Sequence, residues 1–259
     1  MTPPDVVGGM SHSPKPLACR RAHAIGEGSI VMKLRECYEL VRTRRGRMWL
    51  WRTLVQRLYS RRVAIGVSRD LSAFLAKPSA KIPLEVRLLR DDDDLSLISE
   101  VGELAPRLAQ QRADQRWFLA SGLPTPWVAV DPDGAVCFLA WLLTCRDNDA
   151  LTATLGPLLP QLEPGEVAIE GAFTAESHRG LGILPEVATR LVDAAQEADG
   201  ACRGIAFIAD WNAASLKAGR KAGWFPYARR EERWLLFRRT IRFLPLESAT
   251  TEKIAMGSR

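Results

Sequence analysis

The residues best suited to chemistry in this 259-residue chain surround a pair of glycines, Gly180 and Gly182. Glycine leaves the backbone bare, so that several N–H groups at such a turn can converge on one anion. Arg179 adds a full positive charge, and a helix predicted to begin at Ile183 adds the partial charge of its N-terminus. The pattern indicates an anion site, although a turn whose glycines serve only packing is the alternative.

The segments on either side of these glycines are predicted to be a strand and a helix. Apolar and polar side chains alternate over residues 166–174, which is typical of a strand. From Ile183 onwards apolar side chains recur at helical spacing, and Gly200 is a suitable C-terminal stop. The strand carries two carboxylates, Glu166 and Glu170, which share one face because they lie four residues apart.

A second strand–helix unit follows about thirty residues later. A strand of buried type starts at Gly204 and leads to Asn212, after which a short helix is predicted. Ser215 lies three residues after the asparagine, and the pair Gly223-Trp224 closes the unit. In the first unit the glycines precede the helix, and in the second unit Gly223 follows it.

Together the two units resemble the GNAT superfamily of N-acetyltransferases. The first motif of that family is a strand followed by Arg-Gly-x-Gly and a helix, and it reads Arg179-Gly180-Leu181-Gly182 here. The second is an Asn, a small residue three positions on, and a Gly-aromatic pair, as found from Asn212 to Trp224. The resemblance covers about residues 81–240. It implies an α/β (α+β) fold with a mixed, mostly antiparallel sheet flanked by helices.

The resemblance implies acetyl-CoA as the acyl donor and no metal. The backbone near Phe173 and Thr174 would then bind the acyl carbonyl and the pantetheine amides, and the glycine turn would bind the pyrophosphate. Leu184 stands where the family usually has Gly or Ala, and its bulk would crowd the cofactor unless it points into the core. The predicted cofactor-binding residues are Phe173, Thr174, His178, Arg179, Gly180, Leu181, Gly182, Ile183, Leu184 and Asn212.

The resemblance also suggests how protons would move. In the family an acid on the strand that precedes the glycine turn can act as general base, directly or through water. Glu170 is therefore the first candidate and Glu166 the second. A solvated or ion-paired carboxylate is the alternative for either residue. Many members carry a Tyr seven residues after the Asn as general acid, but that position is Gly219 here. Tyr227 could replace it only if the final strands bring it near.

Composition excludes several classes of protein. The hydrophobic fraction of 47% and the charged fraction of 25% are ordinary for a soluble globular chain. No apolar run approaches the length of a membrane span, and the first twenty residues lack an apolar signal core. Five cysteines without paired spacing and only three histidines disfavour a zinc site. We therefore predict a cytoplasmic protein.

The charge is concentrated at the N-terminus. Residues 1–62 contain 13 Lys+Arg and 4 Asp+Glu, a net charge of +9, whereas the remainder has a net charge of −3. Two basic amphipathic helices are predicted there, carrying Trp49 and Trp51. Packing against the catalytic domain or a second subunit, as in a homodimer, is the first interpretation. Peripheral binding to an anionic membrane is the second. Nucleic acid is not expected, because no reading motif accompanies the charge.

The remaining segments complete the predicted organisation. A hairpin is predicted to turn at Asp131–Gly134, residues 78–83 to form a linker, residues 146–164 a long connection, and residues 225–231 and 234–243 the last two strands. The predicted domains are a disordered tail (1–30), a basic helical extension with a short strand at 62–69 (31–80), a GNAT-like acyltransferase domain (81–246) and a flexible tail (247–259).

We therefore predict an N-acyltransferase that transfers acetyl from acetyl-CoA to a primary amine. One alternative is an acyltransferase that uses a longer-chain acyl-CoA or an acyl carrier protein, whose acidic surface would suit the basic extension. A second alternative is a catalytically silent GNAT-like binding or regulatory protein that lost its chemistry at Gly219. The sequence does not identify the acceptor, the acyl chain length or the oligomeric state.

Overall fold

The structure is a computed structural model that describes residue 51 and residues 54–73, 77–99 and 105–246. The predicted tails at 1–30 and 247–259, and the first basic helix of the extension, lie outside the described residues. Of the second basic helix, residue 51 and residues 54–58 are described, and they are helical. The chain divides into two compact units, Met1–Leu54 and Val55–Arg259. All the strands belong to the second unit.

Eight strands form one sheet, in the order β2-β3-β4-β5-β6-β1-β7-β8. Every neighbouring pair is antiparallel except β5 and β6, which are parallel. This confirms the predicted mixed, mostly antiparallel sheet. The strands are β1 (Tyr59–Asp70), β2 (Glu85–Leu88), β3 (Trp127–Val130), β4 (Val136–Thr144), β5 (Glu166–Thr174), β6 (Arg203–Ala209), β7 (Phe225–Leu235) and β8 (Arg238–Pro245).

Helices cover both faces of the sheet. Within the described ranges they are α1 (Pro106–Ala120), α2 (Asn148–Leu155), α3 (Ile183–Asp199) and α4 (Ala213–Lys221). Short 3-10 turns occur at Ser96–Ile98, Cys145–Asp147, Gly156–Leu158 and Glu176–His178. Residues 55–58 are also helical. No helix in this part of the chain combines the length and apolarity needed to cross a membrane.

The core has two layers because β5 and β6 are buried on both sides. Val167 and Ile169 of β5 belong to the cluster under α3, which we call the α3 face. Ala168 and Phe173 belong to the cluster under α1 and α2, which we call the α1 face. Alternating side chains point to opposite faces of a strand, so Glu170, two residues after Ala168, is directed to the α1 face.

The strand predicted at residues 62–69 is β1, and it lies within the sheet rather than in an extension. It pairs with β6 on one side and β7 on the other. Residues 64–67 are buried without interruption, as expected for a strand covered on both faces. The sheet therefore begins upstream of residue 81, where the predicted acyltransferase domain starts.

Two predicted connections have more structure than the sequence indicated. The segment predicted as a linker at 78–83 packs across the glycine turn, where the Lys81 N–H donates to the Leu181 carbonyl at 2.7 Å. The connection predicted at 146–164 contains α2, whose Leu151 and Leu155 lie four residues apart and are both buried. In contrast, the hairpin turn at Asp131–Gly134 is confirmed, with the Gly134 N–H donating to the Asp131 carbonyl at 3.1 Å.

Candidate active site

The site lies where β5 and β6 separate. Their parallel pairing covers three residue pairs and ends at Ala168 and Ile205. Beyond that point β5 continues to pair with β4 alone, so its backbone on the β6 side faces an opening in the sheet. The opening includes Phe173 and Thr174, whose backbone would bind the acyl carbonyl and the pantetheine amides according to the family resemblance.

Gly171 bends β5 away from β6. Its φ is +63°, and the register between β4 and β5 shifts opposite it, which is the signature of a β-bulge. A Cβ atom at this position would lie 2.8 Å from the ring of Trp141, which is 1% exposed and cannot withdraw. Both the dihedral angle and the contact require glycine, and together they hold the opening in place.

One cavity, which we call the inner chamber, fills this opening with a volume of about 290 Å³. It is lined from both faces of the sheet, by Val67, Ile169, Leu184, Ala188, Ala206, Ile208 and Trp224 on the α3 side and by Gln111, Asp114, Gln115, Phe118, Glu170 and Phe207 on the α1 side. Its described lining contains the carboxylates Asp114 and Glu170 and no Lys, Arg or His. The chamber is therefore a passage through the sheet with an acidic character.

Glu170 is the carboxylate inside the chamber. Its Oε1 atom is buried and has no hydrogen-bond partner among the described residues. Burial raises the pKa of Glu170 to about 7, while the nearby charge of Arg230 and a hydrogen bond from the Gly171 backbone act in the opposite direction. A carboxyl group with this pKa can take up and release a proton near neutral pH.

Glu166 has a different environment, although it is four residues away on the same strand. Its Oε1 accepts a hydrogen bond from Nη1 of Arg203 at 2.7 Å, and its Oε2 accepts the Glu163 N–H at 3.1 Å. It does not belong to the described lining of the chamber. The structure thus separates the two predicted bases. Glu170 is buried in the chamber with one oxygen that has no hydrogen-bond partner among the described residues, and Glu166 is an ion-paired carboxylate outside the chamber.

A second cavity, which we call the outer groove, adjoins the chamber and has a volume of about 530 Å³. Every predicted cofactor residue except Leu181 lines it. Its described lining also includes Arg107, Trp211, Lys217 and Lys221. With His178 and Arg179 it carries five basic side chains and no carboxylate. The groove and the chamber share Phe173, Leu184 and Ser215, so the two cavities are continuous.

The predicted substitute for the missing tyrosine lies behind the chamber wall and does not line either cavity. Tyr227 of β7 packs on the α1 face, with its ring 6.2 Å from that of Phe207 and the Arg203 guanidinium 4.8 Å above it. It does not belong to the described lining of either cavity. Gly219 does line the chamber, so the position at which many family members carry a tyrosine faces this cavity as bare backbone.

The glycine turn at the floor of the groove fits a phosphate-bearing cofactor. Gly180 and Gly182 have φ values of +79° and +81°. Gly182 is the N-cap of α3 and makes no side-chain hydrogen bond. The first N–H groups of the helix are therefore not occupied by a capping side chain. A Cβ at Gly182 would lie 3.3 Å from the Ser79 carbonyl oxygen, which is a crowded contact. The turn is therefore best formed by a residue without a side chain. These features match an anion site at a helix N-terminus.

The other predicted cofactor residues have structural contacts of their own. His178 Nε2 lies 3.0 Å from Asp131 Oδ2, and its Nδ1 lies 2.8 Å from Ser177 Oγ, so the ring ties the turn to the β3–β4 hairpin. Asn212 caps α4, because its Oδ1 accepts the Ser215 N–H at 3.2 Å. Leu184 lines both cavities and also packs against the core of the α3 face.

Comparison with known proteins gives distant likenesses only. No family model and no curated protein matches the sequence. Three similar solved structures are a GCN5-related N-acetyltransferase from Sphaerobacter thermophilus (14% identity, TM-score 0.44, 78% of this chain and 59% of that one), a GNAT-family acetyltransferase from Colwellia psychrerythraea (15%, 0.41, 74% and 59%) and a glucosamine N-acetyltransferase region of a fungal GH3 β-N-acetylglucosaminidase (12%, 0.45, 74% and 23%).

The fold resembles that of the GCN5-related N-acetyltransferases. This chain spans 59% of the length of each of the first two. The features of this structure that accompany the two motifs are the separation of β5 from β6 and the glycine turn before α3.

Several residues of this site were not predicted from the sequence. Gln111, Asp114, Gln115 and Phe118 line the chamber from α1 at helical spacing, but three of the four are polar and do not mark a buried face. Arg230 lies near Glu170, 4.9 Å over the ring of Phe207, and donates to the Leu158 carbonyl. Their positions depend on tertiary packing, so no local sequence signal identifies them.

Proposed function

We propose that this protein is an acyl-CoA-dependent N-acyltransferase that transfers acetyl from acetyl-CoA to a primary amine. The observation that supports it most is the buried Glu170 carboxyl inside the chamber, whose Oε1 atom has no hydrogen-bond partner among the described residues and whose burial raises its pKa to about 7. It lies at the opening of the sheet, between a groove lined by cations and a chamber lined by carboxylates.

The outer groove is the proposed binding site of the donor. The bare turn at Gly180 and Gly182 and the N-terminus of α3 would bind the pyrophosphate, and Arg179 would balance its charge. When bound, the thioester supplies an activated acyl group. The backbone of β5 that β6 leaves unpaired would donate hydrogen bonds to the acyl carbonyl, where negative charge develops during attack.

Glu170 is the proposed general base. An amine attacks a carbonyl only in its neutral form, so an ammonium substrate must first lose a proton. The Oε1 atom, which has no partner in the described part of the chain, is available to accept it. A base whose pKa is near 7 is ionised in about half of the molecules at neutral pH, and its proton affinity is higher than that of an ordinary carboxylate. Both properties favour removal of a proton from the substrate.

The N-terminus of α4 is the proposed site of charge stabilisation for the departing thiolate. Ser215 lies in the first turn of α4 and lines both cavities. The partial positive charge of a helix N-terminus favours an anion. This electrostatic role would compensate for the absence of a tyrosine at position 219, since a thiolate leaves without obligatory protonation.

A longer acyl chain on the donor is the second candidate. The α3 side of the chamber is apolar, with Val67, Ile169, Ala206 and Trp224 in its wall. Such a surface would gain free energy by burying additional methylene groups. Most of the basic extension, which is predicted to interact with a carrier protein or a membrane, lies outside the described residues.

Calorimetric titration with acetyl-CoA and with octanoyl-CoA tests the proposal, followed by mass spectrometry of a mixed panel of amines incubated with each donor. We expect acetyl-CoA to bind and an acetylated amine to form. Preference for octanoyl-CoA in both assays would favour the second candidate. Folded protein that binds neither donor would contradict the proposal and favour a binding protein without activity.

A further inference from the structure

We infer that the acceptor is a small monocationic amine with an apolar body and no anionic group, and that Gln115 accepts a hydrogen bond from its nitrogen. This inference rests on the proposed N-acyl transfer and names the substrate class for it. It concerns the α1 side of the inner chamber, which consists of Gln111, Asp114, Gln115 and Phe118 of α1 together with Glu170 and Phe207.

Different elements line the two sides of the opening. The glycine turn and α3 lie on the α3 face, where the donor is proposed to bind. Glu170 and Phe207 point to the other face, under α1. A donor bound on the glycine turn would occupy the α3 side of the opening, which leaves the α1 side, where Glu170 is directed, for the amine.

One face of α1 forms the wall of this side. Gln111, Asp114, Gln115 and Phe118 occupy positions i, i+3, i+4 and i+7, which lie in one row along a helix. Asp114 is exposed at the outer end, and its Oδ1 accepts a hydrogen bond from Gln110 Nε2 at 2.8 Å. Gln115, one residue further on, is only 5% exposed. The wall thus leads from a carboxylate at the surface to an amide inside.

The Gln115 side chain indicates a ligand that donates a hydrogen bond. Its Oε1 is buried and has no partner among the described residues, which is an unfavourable state for an amide oxygen. The second unpaired buried oxygen on this side of the chamber is Oε1 of Glu170. A primary amine or ammonium group carries two or three N–H donors and could satisfy both oxygens.

The charge of the chamber determines which amines can enter. Asp114 and Glu170 attract a cation, and no Lys, Arg or His belongs to the described lining to balance an anion. A carboxylate or phosphate on the acceptor would find no cation in this described lining and would be repelled by the two carboxylates. Phe118 and Phe207 supply apolar surface and aromatic faces that favour a cation and an apolar body.

The experiment compares three amines with one aromatic skeleton: phenethylamine, phenylalanine amide and phenylalanine. The first carries hydrogen at the α-carbon, the second a neutral carboxamide and the third a carboxylate. With saturating acetyl-CoA, and with rates expressed per neutral amine so that the different basicity of the two amines cancels, we expect phenylalanine amide to exceed phenylalanine in kcat/KM by about a hundredfold, because its carboxamide carries no negative charge. Phenylalanine acetylated as fast as its amide would overturn the inference.

Gln115→Met tests the positioning residue, since methionine has a similar shape and no amide. We expect the KM for phenethylamine to rise about tenfold and the KM for acetyl-CoA to stay the same. The melting temperature should be unchanged or higher, because the variant removes an unpaired buried oxygen. A fall in melting temperature with equal losses for both substrates would mean that Gln115 is structural and would overturn its assignment. Gln161→Met, an exposed glutamine that lines neither cavity, is the matched control.

Calorimetry with acetyl-CoA separates this inference from the proposed function. Wild-type protein that is folded but does not bind acetyl-CoA would remove the proposed function, and the inference with it. Binding of acetyl-CoA with transfer to phenylalanine at the rate of its amide would remove the inference alone. Binding without transfer to any of the three amines would also overturn the inference, and the donor site would remain.

Discussion

The outer groove and the inner chamber are continuous cavities with opposite charge. The groove is lined by five basic side chains and no carboxylate, whereas the chamber is lined by two carboxylates and no basic side chain, within the part of the chain that the structure describes. A polyanionic donor and a cationic acceptor would therefore each prefer one cavity and be repelled by the other. The separation of β5 from β6 is where the two meet.

The two glutamates of β5 give the largest expected difference. We expect Glu170→Gln to lower kcat by about 10²- to 10⁴-fold with little change in acetyl-CoA affinity, because it removes the base and leaves the groove intact. Glu166→Gln is the matched control. It breaks the ion pair with Arg203 outside both cavities and should retain activity, with a loss of stability below about 1 kcal/mol.

Glu170 should also make the free energy of unfolding depend on pH. The pKa of Glu170 is raised in the folded state, so the stability gained by its neutral form is present below the unfolded pKa and is lost as pH rises to about 7. Glu170→Gln should therefore be more stable than wild type above neutral pH, by up to about 3 kcal/mol. Urea unfolding at pH 5 and pH 8 measures this. A variant less stable than wild type at pH 8 would contradict the buried, unpaired carboxyl.

Exchanging single charges would break the contrast between the cavities. Lys217→Glu should weaken acetyl-CoA binding by about tenfold at low salt and leave the KM of a cationic amine unchanged. Asp114→Lys should raise the KM of that amine by a similar factor and leave acetyl-CoA affinity unchanged. Calorimetry and steady-state kinetics on both variants measure the four effects. If either variant affected both substrates equally, the cavities would not act as separate sites.

The pH dependence of turnover tests the connection between the chamber and β7. Glu170 should give kcat/KM a limb that rises with pH near 7. Arg230 opposes the rise in the pKa of Glu170, so Arg230→Met should move this limb to higher pH. Both proteins are assayed with one amine, so that ionisation of the substrate cancels. A limb that stays in place or moves to lower pH would exclude Arg230 from this role.

The groove was more predictable from the sequence than the chamber, and the reason is physical. The groove depends on a local turn, because Gly180, Gly182 and the start of α3 lie within a few residues of each other. The chamber depends on contacts between distant segments. Glu170 is buried near Arg230, sixty positions later in the sequence, and faces Gln115 on a helix without an apolar stripe. Likewise, nothing local places β1 between β6 and β7.

Substitution of Gly219 has the smallest expected effect on kcat. It tests whether the chamber has room for a general acid at this position of its wall. A Cβ there would lie 3.6 Å from Trp224 Cβ and 3.8 Å from Ile208 Cδ1, which are ordinary contacts, so the backbone accepts a side chain. Gly219→Tyr would add a hydroxyl that can protonate the thiolate, and we expect kcat to rise about threefold because a thiolate already leaves readily.

Gly219→Phe is the matched control for Gly219→Tyr, since it adds the same ring without the hydroxyl. If only the tyrosine variant gains activity, the chamber lacks a general acid and α4 supplies charge alone. If both variants lose acetyl-CoA binding, the space above Gly219 is occupied by the bound donor. In that case the absence of a side chain there is a requirement of this chamber, and the charge at the N-terminus of α4 is the means by which the thiolate leaves.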